Sequence, residues 1–234
     1  VRKLRIGPAV GIRASPPGEG VTDAVRLLDV RSSPRGPESS SRAVADALVA
    51  AAHEACPTLE VDTLDVWATD LPDFDASTIG TKYKLVSGDE LSAEEDHAWA
   101  VIRNLVDRFR AADRIVVGAP MWNWSIPYRL KHLIDLVSQR GELFEFDGQE
   151  YSPALSVPRG AVLAVRGHSR DGTTMPIPGP PTDFHVDFVR FWLQIIGVRE
   201  VDVLRVEHTW DARAAETLAR GVEQAQELGK RLVS

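Results

Sequence analysis

Apolar positions along the chain fall into two alternating patterns. Short, nearly continuous apolar runs, "AVRLLDV" at 24–30, "RIVVGAP" at 114–120 and "GAVLAVRG" at 160–167, suit strands buried on both faces of a sheet. "LEVDTLDV" at 59–66 alternates apolar and polar residues, as a more exposed strand does, and "REVDVLRV" at 199–206 supplies a fifth strand. Between these runs the spacing turns helical. The predicted helices are 41–55 with a serine N-cap, 92–112 opened by the capping box Ser92-x-x-Glu95, and 127–139 with Pro127 in its first turn. Two more are 182–197, closed by Gly197, and 211–233. Residues 142–152 read as a hairpin around Asp147-Gly148, and residues 67–90, with Pro, Gly and Asp, as a long connecting segment.

Strands that alternate with helices imply a parallel sheet covered on both faces, because each crossover helix must pack back onto the sheet. Five strands suggest the doubly wound α/β order 2-1-3-4-5, with the hairpin as a small insertion. In such sheets ligands sit beyond the carboxyl ends of the strands, where the strand order reverses. The segments expected there are 32–41, 119–126 and 167–172.

Composition narrows the field. The chain has 234 residues, of which 44 % are hydrophobic and 26 % charged, and this suits one large globular domain. Its formal net charge of −7 is spread along the chain, without the basic footprint of a nucleic-acid binder. A single cysteine, Cys56, allows no internal disulfide and reads as a small apolar residue. No apolar run is long enough for a membrane span, and residues 1–22 lack the apolar centre of a secretory signal, so a cytoplasmic location is expected. Residues 1–22, rich in Gly, Pro and Arg, read as a flexible extension ahead of a domain spanning 23–234, with translation beginning at Val21.

The three loops carry the candidate chemistry. "SSPRGPESSSR" places Ser32, Ser39, Ser40 and Ser41 before a helix, whose free N–H groups and partial positive charge favour an anion. It is neither a Walker A loop nor a G-x-G-x-x-G fingerprint, and a serine cradle without lysine suits a terminal phosphomonoester such as that of FMN, with Arg35 or Arg42 adding charge. Taken alone it reads first as a solvent loop with serine caps. "APMWNWSIP" puts Pro120, Met121, Trp122, Asn123 and Trp124 at a loop tip, where flat side chains and backbone amides would line an isoalloxazine, or where both tryptophans would plug the edge of the core. "VRGHSRDG" supplies Gly167, which lets the backbone approach a ligand closely, and Arg166 or His168, which would stabilise negative charge at the pyrimidine end of a reduced flavin.

Together these residues resemble the FMN-dependent NAD(P)H azoreductases and quinone reductases of the flavodoxin-like fold. The carrying motif is Ala119-Pro120-Met121-Trp122-Asn123-Trp124-Ser125-Ile126-Pro127, followed by Leu130-Lys131, Asp135, Gly141, Phe144 and Phe146. The serine loop matches through Ser32-Ser33, Ser39 and Ser41. Arg42 stands where the family usually has asparagine, and the family's S-R-G-G loop reads "VRGH". The resemblance implies FMN phosphate on Ser32, Ser39 and Ser41, and the flavin ring lined by Met121, Trp122, Asn123 and Trp124. It also implies a homodimer, with Phe146 as a wall of the partner's substrate pocket beside Trp124.

The implied reaction is a ping-pong exchange. NADH or NADPH, bound transiently, passes hydride to flavin N5 and leaves; a flat quinone or azo compound then takes the electrons. No catalytic side chain is required beyond the flavin, and His168 is the candidate if one contributes. Two alternatives stay open: an NADPH:FMN or quinone reductase outside the azoreductase branch, and a flavin-binding electron carrier or redox sensor without turnover. A hydrolase fits poorly, since "GHSRD" fails G-x-S-x-G at its last position. Histidines 53, 97, 132, 168, 185 and 208 form no metal-ligand spacing, and His132 and His185 read as members of ordinary helix faces.

Overall fold

A computed structural model describes residues 24–169 and 183–234. The expected extension at 1–22, the end of the third loop at 170–172 and the start of the helix expected from residue 182 lie outside them.

The strands are β1 (Arg26–Arg31), β2 (Glu60–Asp65), β3 (Arg114–Pro120), β4 (Phe144–Phe146), β5 (Tyr151–Pro153), β6 (Val157–Val165) and β7 (Val198–Val206). The helices are α1 (Ser40–Ala55), α2 (Ala76–Ser87), α3 (Ala93–Arg110), α4 (Tyr128–Val137), α5 (Val186–Ile196) and α6 (Ala214–Val233). The main sheet runs β2-β1-β3-β6-β7 with every pairing parallel, and β4 and β5 form a separate antiparallel hairpin. With the hairpin set aside, this is the expected order 2-1-3-4-5.

The period-2 geometry of the strands sorts their side chains between two cores. Leu28, Val30, Ile115 and Val117 face α3, α4 and α5, where Phe109 and Trp192 pack edge to face at 5.8 Å. Leu27, Val116 and Leu163 face α1 and α6. Burial on both sides explains why the central strands read as continuous apolar runs rather than alternating ones.

Local chemistry sets the ends of the helices. Ser92 and Glu95 form the reciprocal capping box that opens α3. Gly197, at φ 112°, closes α5 in the left-handed region. The hairpin turns through Asp147, whose carboxylate accepts from the N–H groups of Gln149 and Glu150. Residues 67–90 are not simply a connection, since α2 forms between an Asp75 N-cap and Gly88. β6 starts at Val157, three residues before the apolar run at 160, because Val157 pairs with Val198 on β7.

Candidate functional site

The order reverses at β1: the chain crosses from it to β2 on one side and then returns past it to β3 on the other. The serine loop follows β1. Ser32 is buried, and its hydroxyl donates to the carbonyl of Gly118 on β3 at 2.7 Å, tying the two strand ends together. After a helical turn at Gly36–Glu38, Ser39 caps α1: its Oγ accepts the Arg42 N–H at 3.3 Å and shares a hydrogen bond with Ser41 Oγ at 2.9 Å. Ser40 opens the helix beside them, half-buried. This is a helix N-terminus ringed by hydroxyls, the donor set that a phosphate monoester needs. Arg42 is turned aside, since its guanidinium pairs with Asp65 Oδ2 at 2.9 Å. Arg35 is exposed and makes no ion pair among the described residues.

The aromatic tip follows β3. Met121 extends that strand by donating its N–H to Val165 on β6 at 2.8 Å. Trp122 and Ser125 then exchange two backbone hydrogen bonds of 2.9 Å each, so Asn123 and Trp124 occupy the central positions of a turn. Both have positive φ, 45° and 65°, which makes this a type I′ turn built without glycine. Trp122 is 37 % and Trp124 54 % exposed, so neither plugs the core. A bulky residue in left-handed backbone is strained, and such strain concentrates at functional loops. Pro120 and Met121 are half-buried beneath the turn, and Asn123 is exposed on it.

The third loop differs from its expectation in two respects. Arg166 is buried, and its guanidinium is neutralised inside the protein: Asp183 Oδ2 lies 3.3 Å from both Nη atoms, and Glu207 Oε1 2.9 Å from Nε. It clamps the ends of β6 and β7 to the start of α5. Gly167 does permit a close approach, but by a residue of this chain, since a Cβ there would lie 2.7 Å from the indole of Trp210. His168 is half-buried, edge-on to the same indole at 6.1 Å.

Phe146 stands apart on the hairpin, stacked on Tyr151 at 4.5 Å.

Three residues of this region were not singled out from the sequence. Trp67, two residues past β2, touches both the serine loop and the tip. Trp210 covers Gly167. His185, expected on an ordinary helix face, is fully buried under the tip, with Nε2 2.8 Å from the carbonyl of Ala119 and Nδ1 without a hydrogen-bond partner among the described residues. A carbonyl only accepts, so Nε2 carries the proton. Burial pushes this imidazole down to about 4, against the partial compensation of the Ala119 bond. Beside it, burial tends to raise the Asp183 carboxyl, but the N–H groups of Val186 and His185 together with Arg166 hold it below the usual carboxylate range. Trp67 and Trp210 lie just past the carboxyl end of a strand, and His185 reaches back to one; that is the position where such sheets bind ligands. No group of three or more His, Cys, Asp or Glu arranged to hold a metal occurs among the described residues.

These residues fit a flavin mononucleotide. Hydroxyls and free helix N–H groups stand at one loop and exposed flat side chains at the next, across the switch point.

Known proteins give the same picture. The family model described as flavodoxin-like fold matches residues 26–228. An FMN-dependent NADH:quinone oxidoreductase of Burkholderia lata is 50 % identical over 209 residues, covering 87 % of this chain and 98 % of the relative. The FMN-dependent NADH:quinone oxidoreductase of Ruegeria pomeroyi is 38 % identical over 183 residues, covering 78 % of this chain and 88 % of its own. Among solved structures, an azoreductase from Bacillus anthracis superposes with a TM-score of 0.78 at 25 % identity, covering 88 % of this chain and 99 % of that one. On its sequence, its strand order and these likenesses, the chain belongs to the flavodoxin-like fold family, in the branch of the FMN-dependent NADH:quinone oxidoreductases.

Proposed function

We propose that the protein is an FMN-dependent oxidoreductase that takes electrons from NADH and reduces quinones, with azo compounds as further acceptors. The observation that carries this reading is the exposed Trp122–Trp124 turn at the end of β3, joined to the hydroxyl-lined start of α1 by the Ser32–Gly118 hydrogen bond. The names of its relatives and its resemblance to azoreductases support the donor and acceptor classes.

In this reading Ser39, Ser40 and Ser41, with the first N–H groups of α1, hold the FMN phosphate, and Ser32 braces their loop. Pro120, Met121, Trp122, Asn123 and Trp124 line the ring; Gly167 and His168 border its pyrimidine end. FMN held there would supply the redox chemistry of a ping-pong exchange between NADH and the acceptor. The protein positions and desolvates. Trp124 offers a flat apolar face on which donor and acceptor alternate, and Arg166 holds the third loop without contacting either. The reading includes a homodimer in the cytoplasm, in which Phe146 reaches the partner's pocket. It also treats 23–234 as the flavin-binding domain and 1–22 as an extension to it.

The deciding experiment incubates the purified protein with FMN, desalts it, and records the visible spectrum and then NADH oxidation with a quinone. Retained flavin bands with turnover above that of free FMN are expected. A colourless protein overturns the cofactor assignment; a yellow protein without turnover overturns the enzyme reading and leaves an electron carrier.

A further inference from the structure

Trp67 has no task in the site as described so far. Its indole Nε1–H donates to the carbonyl of Ser32 at 2.9 Å, at the root of the serine loop. The same ring lies 6.0 Å from that of Trp122, tilted by 42°, at the root of the aromatic tip. The residue is itself held from both sides. Its N–H donates to Asp65 Oδ1 at 2.9 Å, and the other oxygen of Asp65 takes the guanidinium of Arg42 from the first turn of α1 at 2.9 Å. Across the ring, the Arg129 guanidinium sits 5.9 Å from the centroid while donating to the carbonyls of Val66 and Thr69 at 2.9 Å each.

A rigid side chain with two rotatable bonds therefore touches both halves of the candidate flavin site. Arg42, which departs from the family pattern, is part of its support. Had Arg42 faced outward it would have added charge at the phosphate. Paired with Asp65, it fixes the start of α1 to the segment that carries Trp67.

We propose that Trp67 is a positioning residue: it fixes the spacing between the serine loop and the Trp122 tip, so that one ligand engages both at once. The proposal rests on the FMN reading above. When two subsites are held at the separation of a ligand's two ends, binding at the first makes binding at the second effectively intramolecular. When the spacing is loose, part of that advantage goes into ordering the loops. A strut of this kind matters for a ligand that carries both a phosphate and a ring. It matters much less for one that carries the ring alone.

FMN and riboflavin, which share a ring and differ by the phosphate, are therefore the probes. The flavin-free full-length chain is titrated with each, following the quenching of flavin fluorescence. Trp67→Phe keeps an aromatic ring beside Trp122 and removes the hydrogen bond to Ser32. It is expected to weaken FMN binding about tenfold, the worth of one hydrogen bond at the strong end of the usual range. Riboflavin should weaken much less, so the preference for FMN shrinks. Arg129→Met, which removes the donors to Val66 and Thr69 beside the Trp67 ring and leaves the residues of both loops in place, should shrink the preference in the same direction, and it carries the test if Trp67→Phe does not fold. Equal losses for both flavins mean that Trp67 only packs, and overturn the proposal. Unchanged binding of both overturns it as well. Wild-type protein that binds neither flavin overturns the cofactor reading itself, and that outcome is visible before any variant is made.

Discussion

The imidazole of His185 donates from Nε2 to the backbone carbonyl of Ala119 at 2.8 Å, at the end of the central strand that launches the aromatic tip. The ring is fully buried, with the Arg166–Asp183 pair beside it and Arg205 adding a like charge at longer range. In the unfolded chain an imidazole titrates near ~6.5; here burial pushes it down to about 4. Between those values the unfolded state binds more protons than the folded one. Stability is therefore complete above the upper value and falls as pH drops toward the lower one, by on the order of 3 kcal/mol in all. His185→Gln, which retains a donor for Ala119, should remove this slope. Urea unfolding across that pH window measures it, and an unchanged slope in the variant would assign the effect to another group. Asp183 contributes in the same sense but at lower pH, since its depressed carboxyl loses stability only once acid begins to protonate it.

Replacing Arg166 tests whether it is a clamp or a ligand-facing cation. Its guanidinium bonds Asp183 and Glu207, and only the latter is partly exposed. Removing one member of a buried ion cluster costs about 3–5 kcal/mol, because a charge is left without its partner. Arg166→Met should therefore lower stability by that order and leave the affinity for FMN nearly intact in the fraction that folds. Arg166→Lys should recover only part, since an ammonium cannot span both carboxylates as a planar fork does. A large loss of FMN affinity with unchanged unfolding would return Arg166 to the binding site.

Gly167 and Trp210 should behave as a coupled pair. A methyl group at residue 167 would meet the Trp210 indole at 2.7 Å, too close without movement. Gly167→Ala is expected to cost about 1–3 kcal/mol. In a Trp210→Ala background most of that cost should vanish, giving a coupling energy in a double-mutant cycle read by thermal unfolding. Additive effects would mean that the backbone, not the indole, demands glycine.

The tip predicts a trade between stability and function. Trp124 holds φ 65°, a region that glycine enters without penalty. Trp124→Gly makes the turn Asn-Gly, the favoured type I′ pair, and should gain about 1 kcal/mol of stability. Under the proposed function it should also raise the KM for quinone, since a flat wall is lost. A variant that is more stable and equally active would remove Trp124 from the substrate pocket.

Gly80, inside α2, has open space where a Cβ would stand and no positive φ. Gly80→Ala should stabilise the protein by about 0.5–1 kcal/mol through helix propensity alone. Thermal unfolding measures it, and a loss would show that this face of α2 is packed against something.

Much of this architecture was legible along the chain, because the signals are local. Three-residue steps in apolar spacing mark α3, and a serine followed by Glu95 marks its start. Continuous apolar runs mark β1, β3 and β6, since both of their faces are covered. α2 was not legible. Its sequence, "ASTIGTKYKLVS", holds two threonines, an isoleucine and a glycine, all poor helix formers, and only the caps at Asp75 and Gly88 define it.

The candidate site divides in the same way. Sequence by itself determined its chemical types: hydroxyls before a helix, and aromatics at a loop after a buried strand. It also determined on which strand ends they fall, since strand and helix periodicities are properties of neighbouring residues. Only the tertiary structure decided which groups meet. Ser32 and Gly118 are 86 residues apart, His185 and Ala119 are 66 apart, and Trp67 and Ser32 are 35 apart. Those contacts depend on strand order and on parallel register, which bring distant strand ends to one edge of the sheet. The same packing turned Arg42 and Arg166 inward to carboxylates that no local pattern pairs with them, because burial makes an unpartnered charge too costly to leave.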